Sequence, residues 1–311
     1  YRMIIFSSIL DAIHLNKKPT LKVVLDCGNG SAGEIAPRLF NALGCNVVTM
    51  FSEIDGNFPN HHPDPSQPEN LEDLIIKVKE ENADIGFALD GDADRLGVID
   101  ANGNIIWPDK QLMLLAKDVL SRNKRRHIIF DVKCTRHLKS IIESNDGLVC
   151  MWKTGHSFIK QKMNELDAPL AGEMSGHVFF KDRWYGFDDA LYTAARFIEI
   201  FTNYNRNPAE LFAALPYGIS TPELRMPLEE KYHTNFMKEF SNNISKLDAN
   251  IISIDGLRAE YNDGWGLVRP SNTSPNIIFR FEGDTDIALK RIQSEFRSIV
   301  KLIKSTASIP F

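Results

Sequence analysis

An apolar run, Ile85, Phe87 and Leu89, breaks directly into Asp90-Gly91-Asp92-Ala93-Asp94-Arg95, and no other stretch constrains this chain as tightly. The run reads as a buried strand whose carboxyl end opens into an acidic loop. Alternate residues of an extended segment point the same way, so Asp90, Asp92 and Asp94 are expected to converge on one point. Three converging carboxylates repel unless a cation lies between them, and hard oxygen ligands select Mg²⁺ or a similar divalent ion. An EF-hand loop also opens with alternating acids. It needs glycine at its sixth position and glutamate at its twelfth, where this chain has Arg95 and Ala101. A solvated acidic turn is the plain alternative. Arg95 tilts the reading towards chemistry, because a cation beside a metal suits the holding of an anion such as a phosphoryl group.

Strand and helix patterns alternate on both sides of this loop. Leu21 to Asp26 reads as a strand, followed by the glycine turn Cys27 to Gly33 and a helix through Leu43. The spacing of that turn matches neither the dinucleotide fingerprint nor the P-loop, so a tight strand-to-helix connection is expected. Asn46 to Phe51 is a strand, and Glu69 to Asn82 a helix leading to Ile85. In the loop Asn60-His61-His62-Pro63-Asp64-Pro65 adjacent histidines point apart and no third ligand is suitably spaced. A rigid proline loop therefore outranks a metal site there. A hairpin over Leu96 to Trp107 leads to a second alternating series that ends in a long helix from Asp188.

After Pro216 the pattern changes to short strands with Asp255-Gly256 and Asp263-Gly264 turns and two helices, as in an antiparallel α+β piece. The expected architecture is α/β: two related mixed α/β domains, residues 1–104 and 105–216, then a smaller α+β C-terminal domain over 217–311. A chain of 311 residues is long enough for two or three such cores.

The net charge of −5 argues against nucleic acid as a partner, and no apolar run is long enough to cross a bilayer. Cys27, Cys45, Cys134 and Cys150 form no C-x-x-C pair, which fits small buried thiols in a reducing compartment. The opening residues read as a helix with Ile5, Ile9 and Ile13 on one face. The chain begins partway into that helix, so a piece of a longer protein is expected.

Four further segments are polar in unusual ways. Lys133 follows a strand, and His156 sits on a glycine turn before a helix. Gly172-Glu173-Met174-Ser175-Gly176-His177 sets a carboxylate and a hydroxyl between glycines, which suits sugar hydroxyls. Arg269-Pro270-Ser271-Asn272-Thr273-Ser274-Pro275 offers a guanidinium, hydroxyls and turn amides, the makings of a phosphate cradle.

Asp-Gly-Asp-Ala-Asp-Arg, Thr-Gly-His-Ser, Gly-Glu-Met-Ser-Gly-His and Arg-Pro-Ser-Asn-Thr-Ser-Pro, in this order and spacing, resemble the α-D-phosphohexomutases. The likeness is strongest to the bacterial branch that accepts both mannose and glucose phosphates. It implies the second, third and fourth domains of that family. The family's first domain carries a phosphorylated serine in a loop that has no counterpart in these residues, so an N-terminal domain of the same protein is the expected missing partner. The resemblance implies interconversion of mannose and glucose 1- and 6-phosphates through a phosphoserine enzyme and a 1,6-bisphosphate, with little or no turnover by this fragment alone.

By the same resemblance Asp90, Asp92 and Asp94 hold Mg²⁺ and Arg95 steadies the moving phosphoryl group. Arg269, Ser271, Asn272 and Thr273 grip the phosphate that is not reacting. Glu173 and Ser175 take the sugar's 3- and 4-hydroxyls, and Lys133 and His156 make ring contacts or move protons. A cytoplasmic monomer without membrane or nucleic-acid partners is expected. Phosphoglucosamine mutase is the rival within the family, although its sugar loop usually has glutamine where Met174 stands. A metal-dependent sugar-phosphate binding module without catalysis is the rival outside it.

Overall fold

The computed structural model describes residues 2–271 and 274–311 of the protein. Helix α1 (Arg2–Ala12) leads into β1 (Lys22–Asp26), α2 (Ile35–Leu43), β2 (Asn46–Met50), α3 (Glu72–Glu80), β3 (Ile85–Leu89), β4 (Leu96–Asp100) and β5 (Ile105–Ile106). These strands form a sheet of order β2-β1-β3-β4-β5, parallel from β2 to β3 and antiparallel beyond. All five residues of β3 are buried, as a strand covered on both faces requires.

Helix α4 (Pro108–Arg122), β6 (His127–Asp131), α5 (His137–Ser144), β7 (Leu148–Trp152), α6 (His156–Leu166), β8 (Leu170–Gly172), β9 (Val178–Phe180), α7 (Ala190–Tyr204) and α8 (Pro208–Ala213) follow. Their sheet has the order β7-β6-β8-β9, with β6 and β8 parallel and β9 antiparallel at the edge. This repeats the strand order of the first sheet, so the two α/β series are related in topology. The run Leu170 to Phe180 is two short strands, and the glycine-rich sugar-type loop is the connection between them. Helix α7 is capped by Asp189, whose carboxylate accepts from the Tyr192 amide.

The remainder is β10 (Ile219–Ser220), β11 (Leu224–Pro227), α9 (His233–Ile244), β12 (Asn250–Ile252), β13 (Leu257–Tyr261), β14 (Gly264–Pro270), β15 (Asn276–Gly283) and α10 (Asp286–Ile303). Its sheet is antiparallel in the order β10-β15-β14-β13-β12, with β11 also paired to β15. One core joins Val268, Phe279 and Phe281 of the sheet to Phe240 of α9 and Phe296 of α10. The fold is thus two mixed α/β series and an antiparallel α+β piece. No helix among the described residues is long and apolar enough to cross a membrane.

Spatially the chain divides into two units. One comprises Tyr1–Asp131, Leu138–Cys150 and Gly155–Pro216, and the other Val132–His137, Met151–Thr154 and Tyr217–Phe311. Short pieces at the ends of β6 and β7 therefore cluster with the C-terminal sheet.

Candidate active site

In the first unit the chain turns after Leu89 instead of running on as a strand. The Ala93 amide donates to the Asp90 carbonyl at 3.2 Å, and Ala93 takes a left-handed φ of 65°. One carboxylate oxygen from each of Asp90, Asp92 and Asp94 lies within 4.8 Å of the others. The acids do converge, but strand alternation is not the cause. On an extended chain the first and third would stand about 13 Å apart. The turn brings them together.

The three donors are all hard carboxylate oxygens, and together they fit a small divalent ion such as Mg²⁺. Asp90 is 1% exposed. It accepts from the amides of Asp94 and Arg95 at 3.0 Å each and from Arg95 Nε at 2.7 Å. Burial nevertheless pushes its carboxyl up to about 6, whereas the hydrogen bond to His177 draws Asp94 down to about 2. Arg95 also donates to Asp64 Oδ1 at 2.9 Å, so its guanidinium is gripped from two sides. The sequence reading missed Asp64. Its only signal was an acid framed by two prolines.

The sugar-type loop lies against the acidic loop. Arg95 and His177 form an antiparallel bridge, and the Leu96 amide donates to the Gly176 carbonyl at 3.2 Å. Ser175 Oγ and His177 Nδ1 are 2.8 Å apart, and His177 Nε2 stands 3.4 Å from Asp94 Oδ1. Burial opposes a charged His177, but Asp94, with Glu173 and Asp188, outweighs it and raises the imidazole's pKa. Glu173 is 3% exposed and accepts from the Gly155 amide at 2.6 Å. The other Glu173 oxygen is 3.5 Å from His177. His156 opens α6, half exposed, with Nδ1 at 3.5 Å from Asp188 Oδ2. Five polar side chains thus gather beside the acid triplet: Glu173, Ser175, His177, His156 and Asp188. His177 and Asp188 had been given no role. The signal for His177 was its place two residues after Ser175 and four after Glu173.

Two other loops brace this constellation. The glycine turn runs against it, with the Ser31 amide donating to the Gly91 carbonyl at 2.9 Å. A Cβ on Gly30 would come within 2.8 Å of that same carbonyl oxygen. In the proline loop, His61 donates one ring nitrogen to buried Asp26 at 3.0 Å, and its other nitrogen meets the His62 carbonyl at 3.0 Å. The hydrogen bond to Asp26 raises His61 to about 9. These contacts make it a braced loop.

In the second unit Lys133 is 6% exposed, and its Nζ is 2.7 Å from Glu223 Oε1. Three successive carbonyls around it are held by two buried arginines. Arg258 donates to those of Val132 and Cys134 at 2.6 and 2.7 Å, and Arg280 to that of Lys133 at 2.5 Å. Arg258 and Arg280 flank Leu267 in register on one face of the sheet, and the Arg258 guanidinium lies 3.8 Å from the centre of the Trp265 ring. Arg269 is 5% exposed and reaches Asp255 at 3.2 Å. Its buried Nε has no acceptor among the described residues. Ser271 Oγ is 2.9 Å from Ser274 Oγ, and the Ser271 amide donates to the Asn276 carbonyl at 2.9 Å. Asn272 and Thr273 lie outside the described residues. A buried guanidinium with an unfilled donor, beside the Ser271 and Ser274 hydroxyls, is chemically able to receive an anion.

Comparisons with known proteins agree along most of the chain. The family models for phosphoglucomutase/phosphomannomutase alpha/beta/alpha domains II and III match residues 6–103 and 107–217, and that for the C-terminal domain matches residues 223–299. The phosphomannomutase/phosphoglucomutase of Pseudomonas putida is 53% identical over 306 residues, 98% of this chain and 66% of that protein. The phosphoglucomutase of Neisseria gonorrhoeae is 51% identical over 290 residues, 93% of this chain and 63% of its own length. A crystal structure of a phosphoglucomutase/phosphomannomutase family protein from Burkholderia thailandensis superposes with a TM-score of 0.93 at 52% identity, covering 100% of this chain and 66% of that one. The chain therefore spans just under two thirds of these relatives. Three consecutive domain matches and more than half of all residues shared over nearly the whole chain leave one assignment: it belongs to the phosphoglucomutase/phosphomannomutase family.

Proposed function

We propose that this chain supplies the metal-, sugar- and phosphate-binding residues of an enzyme interconverting the 1- and 6-phosphates of mannose and glucose through a phosphoserine enzyme and a 1,6-bisphosphate. What carries the reading is the bridge between Arg95 and His177, which sets an acid triplet fit for a divalent ion against a loop fit for sugar hydroxyls. Asp90, Asp92 and Asp94 would hold Mg²⁺, which when bound withdraws charge from the phosphate ester it touches. Arg95, steadied by Asp64 and Asp90, stabilises the phosphoryl group in flight. Glu173 and Ser175 take the sugar's 3- and 4-hydroxyls. Those hydroxyls roughly exchange places when the sugar reverses, so one pair of contacts serves both orientations. The 2-hydroxyl, which separates mannose from glucose, is left unread. Lys133, His156 and His177 are the groups able to move a proton to or from a sugar oxygen.

In the second unit Arg269, Ser271, Asn272 and Thr273 hold the phosphate that is not reacting. Domain limits near residues 104 and 216, a monomer, and a reducing cytoplasmic setting complete the proposal. These residues carry no serine loop of the phosphoryl-donor type, so they bind hexose phosphate without turning it over.

Isothermal titration of the chain with glucose 1-phosphate, mannose 1-phosphate and glucosamine 1-phosphate in Mg²⁺ tests this. Comparable binding of the first two and weaker binding of the third is expected. No binding of either hexose phosphate, or steady conversion of glucose 1-phosphate to the 6-phosphate by the purified chain, contradicts it.

A further inference from the structure

The acid triplet is not the only group of metal-ligating side chains in the first unit. We propose that Asp94, His177 and Asp188 form a second cation site, overlapping the all-carboxylate triplet at Asp94, that takes a divalent ion of the zinc class. One ligand atom from each of the three lies within 4.8 Å of the others. His177 Nε2 is 3.4 Å from Asp94 Oδ1, and His156 Nδ1 is 3.5 Å from Asp188 Oδ2. Ligands bound at zinc distances in a tetrahedron stand about 3.4 Å apart, so Asp94 and His177 already have the spacing of one coordination shell, and Asp188, within 4.8 Å of both, has a short way to close.

A second observation points to the same place. The Asp188 side chain is 8% exposed, and its Oδ2 is buried yet accepts no hydrogen bond among the described residues. Lys160 holds the other oxygen at 3.2 Å, and His156 Nδ1 stands 3.5 Å from Oδ2, too far for a good hydrogen bond. A buried carboxylate oxygen without a donor is costly unless something positive meets it. Ser175 Oγ lies 2.8 Å from His177 Nδ1 and fixes the ring with Nε2 towards the acids, the arrangement that orients metal-bound histidines.

The donor set decides the ion. Imidazole nitrogen mixed with carboxylate favours zinc or cobalt over magnesium, which prefers oxygen alone. His156, half exposed, can turn in as a fourth ligand, and water can serve otherwise. Asp94 belongs to both groups. A zinc-class ion here therefore occupies His177 and takes one carboxylate from the triplet, so it competes with an ion held by the triplet. The inference uses only the geometry of these loops and stands apart from the phosphoryl-transfer reading.

The test is cobalt titration of the Mg²⁺-free chain, followed by visible absorption. A four-coordinate cobalt with an imidazole ligand gives intense visible bands, and an all-oxygen octahedral one gives weak bands. Intense bands, weakened at least about tenfold in apparent affinity by Asp188→Asn and by His177→Gln and retained in Asp92→Asn, support the site. Weak bands alone overturn it, as do intense bands that Asp92→Asn removes and Asp188→Asn leaves. Circular dichroism checks the fold of each variant. His177→Gln carries the test if Asp188→Asn does not fold. Loss of Mn²⁺ binding in Asp92→Asn reports separately on the triplet.

Discussion

Arg95 and His177 face one another across an antiparallel bridge, although 82 positions separate them in the chain. Through it the acidic loop and the sugar-type loop share one backbone frame, and a shift in either is felt by the other. Gly30 sets the position of that frame from below. Replacing it with alanine places a Cβ 2.8 Å from the Gly91 carbonyl oxygen and 3.0 Å from that of Asp90, with backbone on both sides and nothing flexible to yield. Gly30→Ala is expected to cost about 1–3 kcal/mol in urea unfolding and to weaken Mn²⁺ binding by the chain. Wild-type stability together with wild-type Mn²⁺ affinity would show that the glycine turn does not brace the acidic loop.

The elements were legible because period-two and period-3.6 apolar patterns are local, and tertiary packing did not override them in β1, β3, α7 or α10. The acid triplet was legible as composition, since three aspartates in five residues repel one another once a turn brings them together. Its geometry was not, because left-handed Ala93 makes a turn that the alternation conceals. His177 and Asp188 were hidden for another reason: Asp94 reaches His177 only through the register of the bridge, and the partners of Asp188, His156 and Lys160, lie about thirty residues back on α6. The same holds for Arg258 and Arg280. A buried arginine reads as a surface residue until the carbonyls of Val132, Lys133 and Cys134 are seen to occupy it.

Asp64 is the partner that keeps Arg95 from swinging away from the acidic loop. Its Oδ1 accepts from Arg95 at 2.9 Å and from the Ser66 hydroxyl at 2.7 Å. Asp64→Ala removes a charged acceptor and is expected to lower stability by about 1.5–3 kcal/mol. Phosphate affinity should fall in parallel if Arg95 serves the moving group. Equal urea midpoints for the variant and the parent would remove Asp64 from this role.

His61 and Asp26 give the chain a specific pH signature. The folded imidazole titrates near 9, above its ordinary 6.5, because buried Asp26 holds its proton. A raised folded value means stabilisation that is complete below the unfolded pKa and is lost as pH rises through the folded one. Stability should therefore decline between about pH 6.5 and 9 in the parent. His61→Gln should flatten that decline, as read from urea midpoints across the range. An identical slope in both proteins would mean the pair does not titrate as a unit.

Arg258 has lost its water entirely, and its fold-wide role follows from what it would leave behind. It serves the carbonyls of Val132 and Cys134, pairs with Glu260 at 2.6 Å and lies on Trp265. Arg258→Ala strands two carbonyls and a carboxylate, at an expected cost of about 3–5 kcal/mol. Arg258→Met fills the volume but serves none of the acceptors, so it should recover only the packing part. A fully stable Arg258→Ala variant in urea would show that the segment around Lys133 is held by other means.

If Arg269 holds a phosphate as proposed, its variants separate charge from geometry. Its guanidinium rests on Asp255 at 3.2 Å, while the buried Nε keeps a donor without an acceptor among the described residues. A phosphate bound there would compete with Asp255 for the fork and satisfy the unfilled donor, so both charge and planarity would contribute. Arg269→Ala should weaken glucose 1-phosphate binding by about 1.5–3 kcal/mol, the worth of a charged hydrogen bond. Arg269→Lys keeps the charge but cannot present two parallel donors, and its affinity should fall between the two. Titration calorimetry gives the order directly. Lysine equal to arginine would reduce the residue to a point charge, and alanine equal to arginine would take Arg269 out of the site.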